Sequence, residues 1–395
     1  MANKVNLLQI ITKLELGGAQ LSTLDLIKGL DSDIYNTYLI SGTEGILVED
    51  ALAIPKLKVC LIPYLRRQIN IFLDIRALLS IYSFIKSNKI DIVHTHSSKA
   101  GILGRCAAKL AGAKLIVHTV HGWGFHNYQN SLRRIFYIIL ERIVANFTDR
   151  IIAVTEYDIA KGLQNRIGNK DKYRLIRYGI RKDKFNTGSN GSFRAKLGLD
   201  KDDFLVGMVA CFKQQKSPQD FILAAKNVAE LVPRAKFIMV GDGDLKGRAS
   251  ELIKQLSLED KFLLLGWQRD IPQIMPCLDI LVLTSLWEGL PIVFLEAMAC
   301  AKPIVAHDIS GNREIVKDDI NGFLVKPKDH WALADRIIRL YKDRGLLRQM
   351  GIKGRAVLDD NFDFEHMLAL TSEIYSLAQT RKEQIRCLSF HYMFF

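Results

Sequence analysis

At 395 residues, with 49% hydrophobic and 25% charged positions, the chain has the composition of a globular protein and the length for two ordinary α/β domains. Its net charge of +13 points to phosphorylated substrates or an anionic membrane surface as partners. Nucleic acid is not expected, because no helix-turn-helix, zinc finger or aromatic RNA-binding motif occurs. Six scattered cysteines without CxxC spacing imply reduced thiols rather than a disulfide frame or a zinc site, and no apolar run is long enough to span a bilayer.

In chain order, VNLLQII reads as a first strand, too short for a signal peptide. Further strands are predicted near 36–41, 57–62, 90–95, 114–119, 150–154 and 173–177. Helices fit between them at about 18–30, 71–87, 99–111, 130–147 and 156–165. The polar, Gly/Ser/Asn-bearing segment 182–204 is the best linker candidate. A second strand set follows at 204–210, 236–241, 261–266, 279–284, 303–306 and 322–325, then three helical segments from about 329 to 382. Strand–helix alternation throughout implies parallel sheets covered on both faces, hence an α/β chain of two doubly wound domains with a cleft between them.

The most informative stretch is LTSLWEGLPIVFLEAMACAKPIV, 283–305. A buried strand is followed by a Glu288-Gly289 turn, with Pro291 suited to the first helical position, and then by an almost wholly apolar helix whose one charge is Glu296. Either these are a turn residue and an internally satisfied core glutamate, or both carboxylates face one polyhydroxylated ligand at a strand end. Gly17-Gly18 opens a helix after the first strand and leaves free N–H groups for an anion. Lys213 and Lys216 stand in the loop after the second domain's first strand, positioned to neutralise a diphosphate, and Gly311 opens another helix. Histidines gather in VHTHSSKAG (93–101) and VHTVHGWGFH (117–126), where His121 stands at a strand end. GDGD (241–244) reads as a turn, and no metal site is expected. Segments 64–86 and 131–147 read as amphipathic helices with basic flanks, which either rest on anionic lipid or pack as ordinary helices on a sheet. The tail CLSFHYMFF (387–395) offers a further apolar contact.

The E-x7-E pair, the Gly-Gly-Ala loop, the VGDG turn and GNREIV…NGFLV together resemble glycosyltransferase family 4. The likeness covers essentially the whole chain and is strongest from 204 to 340. KAGILGRCAAKLAGAKLIVHTVHGWGFH is similar to bacterial enzymes of capsule, exopolysaccharide and O-antigen assembly. The resemblance implies a GT-B fold, two Rossmann-like doubly wound parallel-sheet domains facing a central cleft. The first (1–185) would serve the acceptor and the second (186–365) the nucleotide-sugar, with a C-terminal helix and tail (366–395) crossing back. It implies transfer from a nucleotide-diphosphate-sugar to a polyprenyl-diphosphate-linked saccharide, with retention at the anomeric carbon. Neither cofactor nor metal is implied, and the enzyme would sit peripherally on the cytoplasmic face of the plasma membrane.

By the same resemblance Glu288, with Gly289, Leu290 and Pro291, contacts the donor, Glu288 at the sugar hydroxyls. Glu296 holds the ribose, Lys216 and the Gly17-Gly18 loop bind the diphosphate, and His121 stands near the reacting sugar. One departure is Cys211, where the family usually carries an arginine on the diphosphate; Lys213, two residues on, is the candidate substitute. A glycosidase, a non-catalytic subunit of the same fold and a nucleotide-sugar epimerase are the alternatives.

Overall fold

Most of the short apolar runs form strands buried on both faces, those at sheet edges (58–61, 173–175 and 262–266) being partly exposed, and the polar-flanked amphipathic segments between them form helices. The structure, a computed structural model, describes residues 4–185 and 191–391, without the side chains of 192 and 379–391. The first strands and helices are β1 (Val5–Ile10), α1 (Gly18–Gly29), β2 (Tyr35–Ser41), α2 (Val48–Leu52), β3 (Lys58–Leu61), α3 (Ile71–Ser87), β4 (Ile92–His96) and α4 (Ser98–Ala111). There follow β5 (Leu115–Val120), α5 (Ser131–Ala145), β6 (Arg150–Ala153), α6 (Glu156–Gln164) and β7 (Tyr173–Leu175). The second set is α7 (Gly191–Lys196), β8 (Phe204–Val209), α8 (Pro218–Leu231), β9 (Ala235–Val240), α9 (Lys246–Gln255), β10 (Phe262–Gly266), α10 (Ile271–Ile274) and β11 (Ile280–Leu283). It continues with α11 (Ile292–Ala299), β12 (Ile304–His307), α12 (Ser310–Arg313), β13 (Gly322–Val325), α13 (His330–Lys342), α14 (Arg344–Val357) and α15 (Phe364–His391).

Every predicted strand is present within a residue or two. The five-residue α2 was not anticipated, since so short a helix shows no period. Pro291 stands just before α11 in extended geometry (φ −70°, ψ 112°) rather than as its first residue. The linker candidate 182–204 is only partly within the described residues, and its later part is ordered. Residues 186–190 lie outside the described residues, but α7 packs inward, and the buried Arg194 donates to the carbonyls of Cys277 and Asp203 at 2.8 and 2.6 Å. Its charge also faces the Asp279 carboxylate at 3.7 Å, and pairing together with these hydrogen bonds offsets the cost of burying it. The tail 387–395 lies outside the described side chains.

Two compact units result: residues up to Tyr178 with those from Glu365 onward, and Gly179–Phe364. In the first, seven parallel strands run in the order β3-β2-β1-β4-β5-β6-β7. Leu8, Ile10, Ile40 and Val93 pack on one face with Ile81 and Ala107. Ile11 and Leu39 pack on the other with Leu24, Ile27 and Ala51. A Cβ at Gly104 would fall 2.8 Å from Thr95 Cγ2, so α4 lies directly on the sheet. The start of α15 belongs to this unit: Tyr375 is fully buried, edge-on to Tyr35 at 6.0 Å. In the second unit six parallel strands run β10-β9-β8-β11-β12-β13. Both sheets reverse direction of growth beside their first strand, between β1 and β4 and between β8 and β11. Open α/β sheets bind ligands at the carboxyl ends flanking such a switch point.

Candidate active site

In the second unit the two loops at the switch point are tied together. Leu286 N donates to the Gln215 carbonyl at 2.8 Å, and Gln215 Nε2 donates to the Trp287 carbonyl at 2.8 Å. The Thr284 hydroxyl lies 3.0 and 2.9 Å from the Lys216 and Ser217 carbonyls. Ser217 adopts left-handed geometry (φ 45°) to turn the chain into α8. This lacing brings Lys216, from the β8 loop, onto Glu288, from the β11 loop, as an ion pair between Lys216 Nζ and Glu288 Oε1. Burial pulls the Lys216 ammonium down, but the charge of Glu288 and the hydrogen bond to it outweigh this and raise its pKa overall.

Behind the turn, Gly311 touches the Glu288–Gly289 backbone. A Cβ there would come within 2.0 Å of the Gly289 carbonyl, so the GNREIV glycine is a packing requirement. Among the described residues the backbone amides of Gly289 and Leu290 donate to no acceptor. They and the uncapped start of α11 leave a cluster of donors beside Glu288.

Glu296, one turn into α11, is half-buried among Val293, Leu295, Ala297 and Cys300. Burial pushes its pKa up to about 8. No hydrogen-bond or ion-pair partner faces its carboxyl among the described residues. The expectation of an internally satisfied core glutamate is therefore not met. Cys211 is half-buried in the same loop as Lys213 and Lys216. The GDGD turn braces this loop: Phe212 N donates to the Asp242 carbonyl at 2.9 Å, and Gly241 (φ 136°) lets the two backbones touch.

In the first unit, Gly17 caps α1 with extended backbone and no side-chain cap, and no acid stands in the helix's first turn. His121 follows β5. Its ring lies between His96 and Tyr178, Nδ1 lying 2.5 Å from the Tyr178 hydroxyl and Nε2 2.9 Å from His96 Nδ1. Burial holds its pKa down to about 3, so the ring is neutral at physiological pH and neither nitrogen is open for proton transfer. Its backbone carbonyl accepts no hydrogen bond among the described residues. Tyr178 and His96 were not singled out from the sequence. The alternating histidines of VHTHSSKAG signalled His96, whereas Tyr178 carried no local signal. Among the described residues no set of three or more His, Cys, Asp or Glu is placed to hold a metal ion.

Two Rossmann-like parallel sheets, with charged and amide groups gathered at the switch point of the second, have the architecture of the GT-B class. HepE of Anabaena, solved with UDP-glucose, matches 94% of this chain and 99% of its own with a TM-score of 0.79 at 22% identity. Sucrose-phosphate synthase of Thermosynechococcus elongatus matches 96% and 100%, TM-score 0.83, at 19% identity. At such identities these establish the fold. The chain belongs to glycosyltransferase family 4: the Glycosyltransferase Family 4 model matches residues 16–184 and the Glycosyl transferases group 1 model residues 189–357. It is 35% identical over 336 residues to the UDP-Gal:alpha-D-GlcNAc-diphosphoundecaprenol alpha-1,3-galactosyltransferase of Escherichia coli, covering 84% of this chain and 86% of that one. It is 28% identical to the N-acetyl-alpha-D-glucosaminyl L-malate synthase of Bacillus anthracis, over 72% and 74% of the two chains.

Proposed function

We propose that this glycosyltransferase moves a sugar from a uridine diphosphate sugar onto a saccharide carried on polyprenyl diphosphate, with retention, in bacterial surface polysaccharide assembly. The observation that carries the reading is the Lys216–Glu288 pair at the β8/β11 switch point beside the unpartnered Glu296. In this reading Glu296 accepts the ribose hydroxyls. Lys216 leaves Glu288 for the donor diphosphate, helped by Lys213 in place of the absent arginine. Glu288 then takes the transferred sugar's hydroxyls, and Gly289, Leu290 and Pro291 supply the turn that presents donor-facing amides. In the first unit Gly17 and Gly18 serve the diphosphate through the open start of α1, and His121 serves the reacting sugar through its backbone carbonyl.

As the glycosidic bond breaks, the leaving diphosphate oxygen takes the acceptor's proton while the acceptor oxygen attacks the same face of the anomeric carbon. What the chain supplies is orientation and charge stabilisation of the departing diphosphate. Lysine and amide donors do this without a metal ion or cofactor in the proposed mechanism. The 35% identity to a transferase named for UDP-galactose and a diphosphoundecaprenol acceptor supports this choice of substrates. A panel of UDP-sugars with undecaprenyl-diphosphate-linked GlcNAc tests it. An α-linked product from an α-donor is expected, and donor hydrolysis without transfer for every pair refutes the reading.

The same reading places the enzyme peripherally on the cytoplasmic face of an anionic membrane. Among the described residues no helix is long and apolar enough to cross one. Helices α3 and α5 each carry two apolar faces. Ala77, Ile81 and Ile85, and Ile138 and Val144, pack inward. Ile71, Phe72 (81% exposed), Ile75 and Leu79, and Leu132 (78%), Ile135, Phe136 and Ile139, face solvent beside exposed Arg76, Arg133, Arg134 and Arg142. A second apolar stripe rimmed by arginine fits the headgroup boundary of an anionic bilayer. Salt-sensitive co-sedimentation with anionic but not neutral vesicles is expected, and indifference to both refutes the attachment.

A further inference from the structure

Seven side chains of the first unit form one unbroken hydrogen-bond chain. Beyond the Tyr178–His121–His96 links, His96 Nε2 lies 2.8 Å from Gln9 Oε1, and Gln9 Nε2 lies 2.9 Å from the Tyr375 hydroxyl. Tyr375 Oη lies 2.6 Å from His94 Nδ1, and His94 Nε2 2.7 Å from Thr119 Oγ1. Gln9, His94, His96 and Tyr375 are almost wholly buried. Burial keeps the three imidazoles neutral and the Tyr375 hydroxyl protonated.

A neutral imidazole has one N–H and one lone pair, so each ring donates once and accepts once. The Gln9 amide sets the direction. Its Nε2–H donates to Tyr375, whose own proton goes to His94 Nδ1, and His94 donates from Nε2 to Thr119. Its Oε1 accepts from His96 Nε2–H; His96 Nδ1 then accepts from His121 Nε2–H, and His121 Nδ1 accepts from the Tyr178 hydroxyl. Every link has one proton and one acceptor, with all three histidines as the Nε2–H tautomer. Links of like direction polarise one another and strengthen the chain.

We propose that Tyr375, on the C-terminal helix α15, is a positioning residue for His121. Acting through Gln9 and His96, it locks the His121 ring in one tautomer and orientation and so fixes the peptide at the end of β5. That peptide needs an anchor, because Gly122 (φ 103°) follows it and restrains it little. The unpaired His121 carbonyl is the group thereby held in place. The part played by this carbonyl rests on the proposed transfer reaction, whereas the locked tautomer does not.

Nitrogen-15 spectra of histidine-labelled protein, alone and with UDP, test the two separately. Protonated Nε2 and bare Nδ1 are expected at His94, His96 and His121 in the unaltered protein. Tyr375→Phe should bring in Nδ1–H tautomer at His96 and His121, leave UDP affinity unchanged, and lower kcat about tenfold with KM for the donor sugar constant. Gln9→Met, of similar volume, removes both the donor to Tyr375 and the acceptor of His96 and serves if Tyr375→Phe does not fold; it should mix the His121 tautomers at least as much. Mixed tautomers in the unaltered protein overturn the proposal, as does a His121 signal unchanged in whichever variant folds. Altered tautomers with no transfer by any form would instead count against the proposed substrates.

Discussion

Glu296→Gln should strengthen the fold and weaken donor binding. The carboxyl sits in an apolar helix with no partner among the described residues, and burial raises its pKa from 4.5 to about 8. A shift of that size disfavours the ionised form by about 5 kcal/mol. Because the group is half-buried, about 2–4 kcal/mol is the working figure. The native protein keeps a proton that the unfolded chain releases above pH 4.5. Wild-type stability is therefore full below that value, declines as pH rises toward about 8, and levels off beyond it. Glutamine mimics the neutral acid and has no such decline. Urea unfolding from pH 5 to 9 should give near-coincident stabilities at pH 5 and a variant ahead by about 2–4 kcal/mol at pH 8.5.

Ribose hydroxyls donating to the carboxylate favour its charged form. UDP binding near pH 7 should thus release close to one proton from the wild type, read by calorimetry in buffers of different ionisation enthalpy, and none from the variant. Loss of those charge-assisted bonds should weaken UDP binding by about 1.5–3 kcal/mol. Parallel stability–pH curves, or equal proton release, would refute the reasoning.

Glu288→Gln removes the ion partner of Lys216 and should lower transfer at least about a hundredfold, while UDP binding, measured by titration, stays equal or tightens because the ammonium is freed. Glu141→Ala strands the fully buried Arg105, whose guanidinium lies 2.6 Å from the Glu141 carboxylate and ties α5 to α4; denaturant unfolding should show a loss of about 3–5 kcal/mol. Replacing both partners, Arg105→Met with Glu141→Leu, should recover most of it. Phe72→Glu with Leu132→Glu should cut binding to anionic vesicles by more than about tenfold and leave the melting temperature unchanged, since both side chains are exposed.

The strands were legible because a strand buried on both faces must be a continuous apolar run, and each one here ends at a polar or glycine-bearing turn. Glu288 was legible as a strand-end carboxylate and Glu296 as a lone charge in an apolar helix. Both are local oddities that a chain of this composition would otherwise avoid. The polarity of segment 182–204 did not disclose the inward-turned Arg194, because one of its acceptors, the Cys277 carbonyl, lies 83 residues further on.

By itself, then, the sequence determined the alternation, the strand ends and the carboxylates placed there, since periodicity and turn chemistry are written within about ten residues. Only the tertiary structure decided the partners. Strand order put Lys216 on Glu288, 72 residues away, and carried Tyr375 to Gln9 across 366. No local pattern encodes such pairs, because they exist only once parallel crossovers bring distant strand ends side by side, leaving Glu296 alone and His121 bound on both sides.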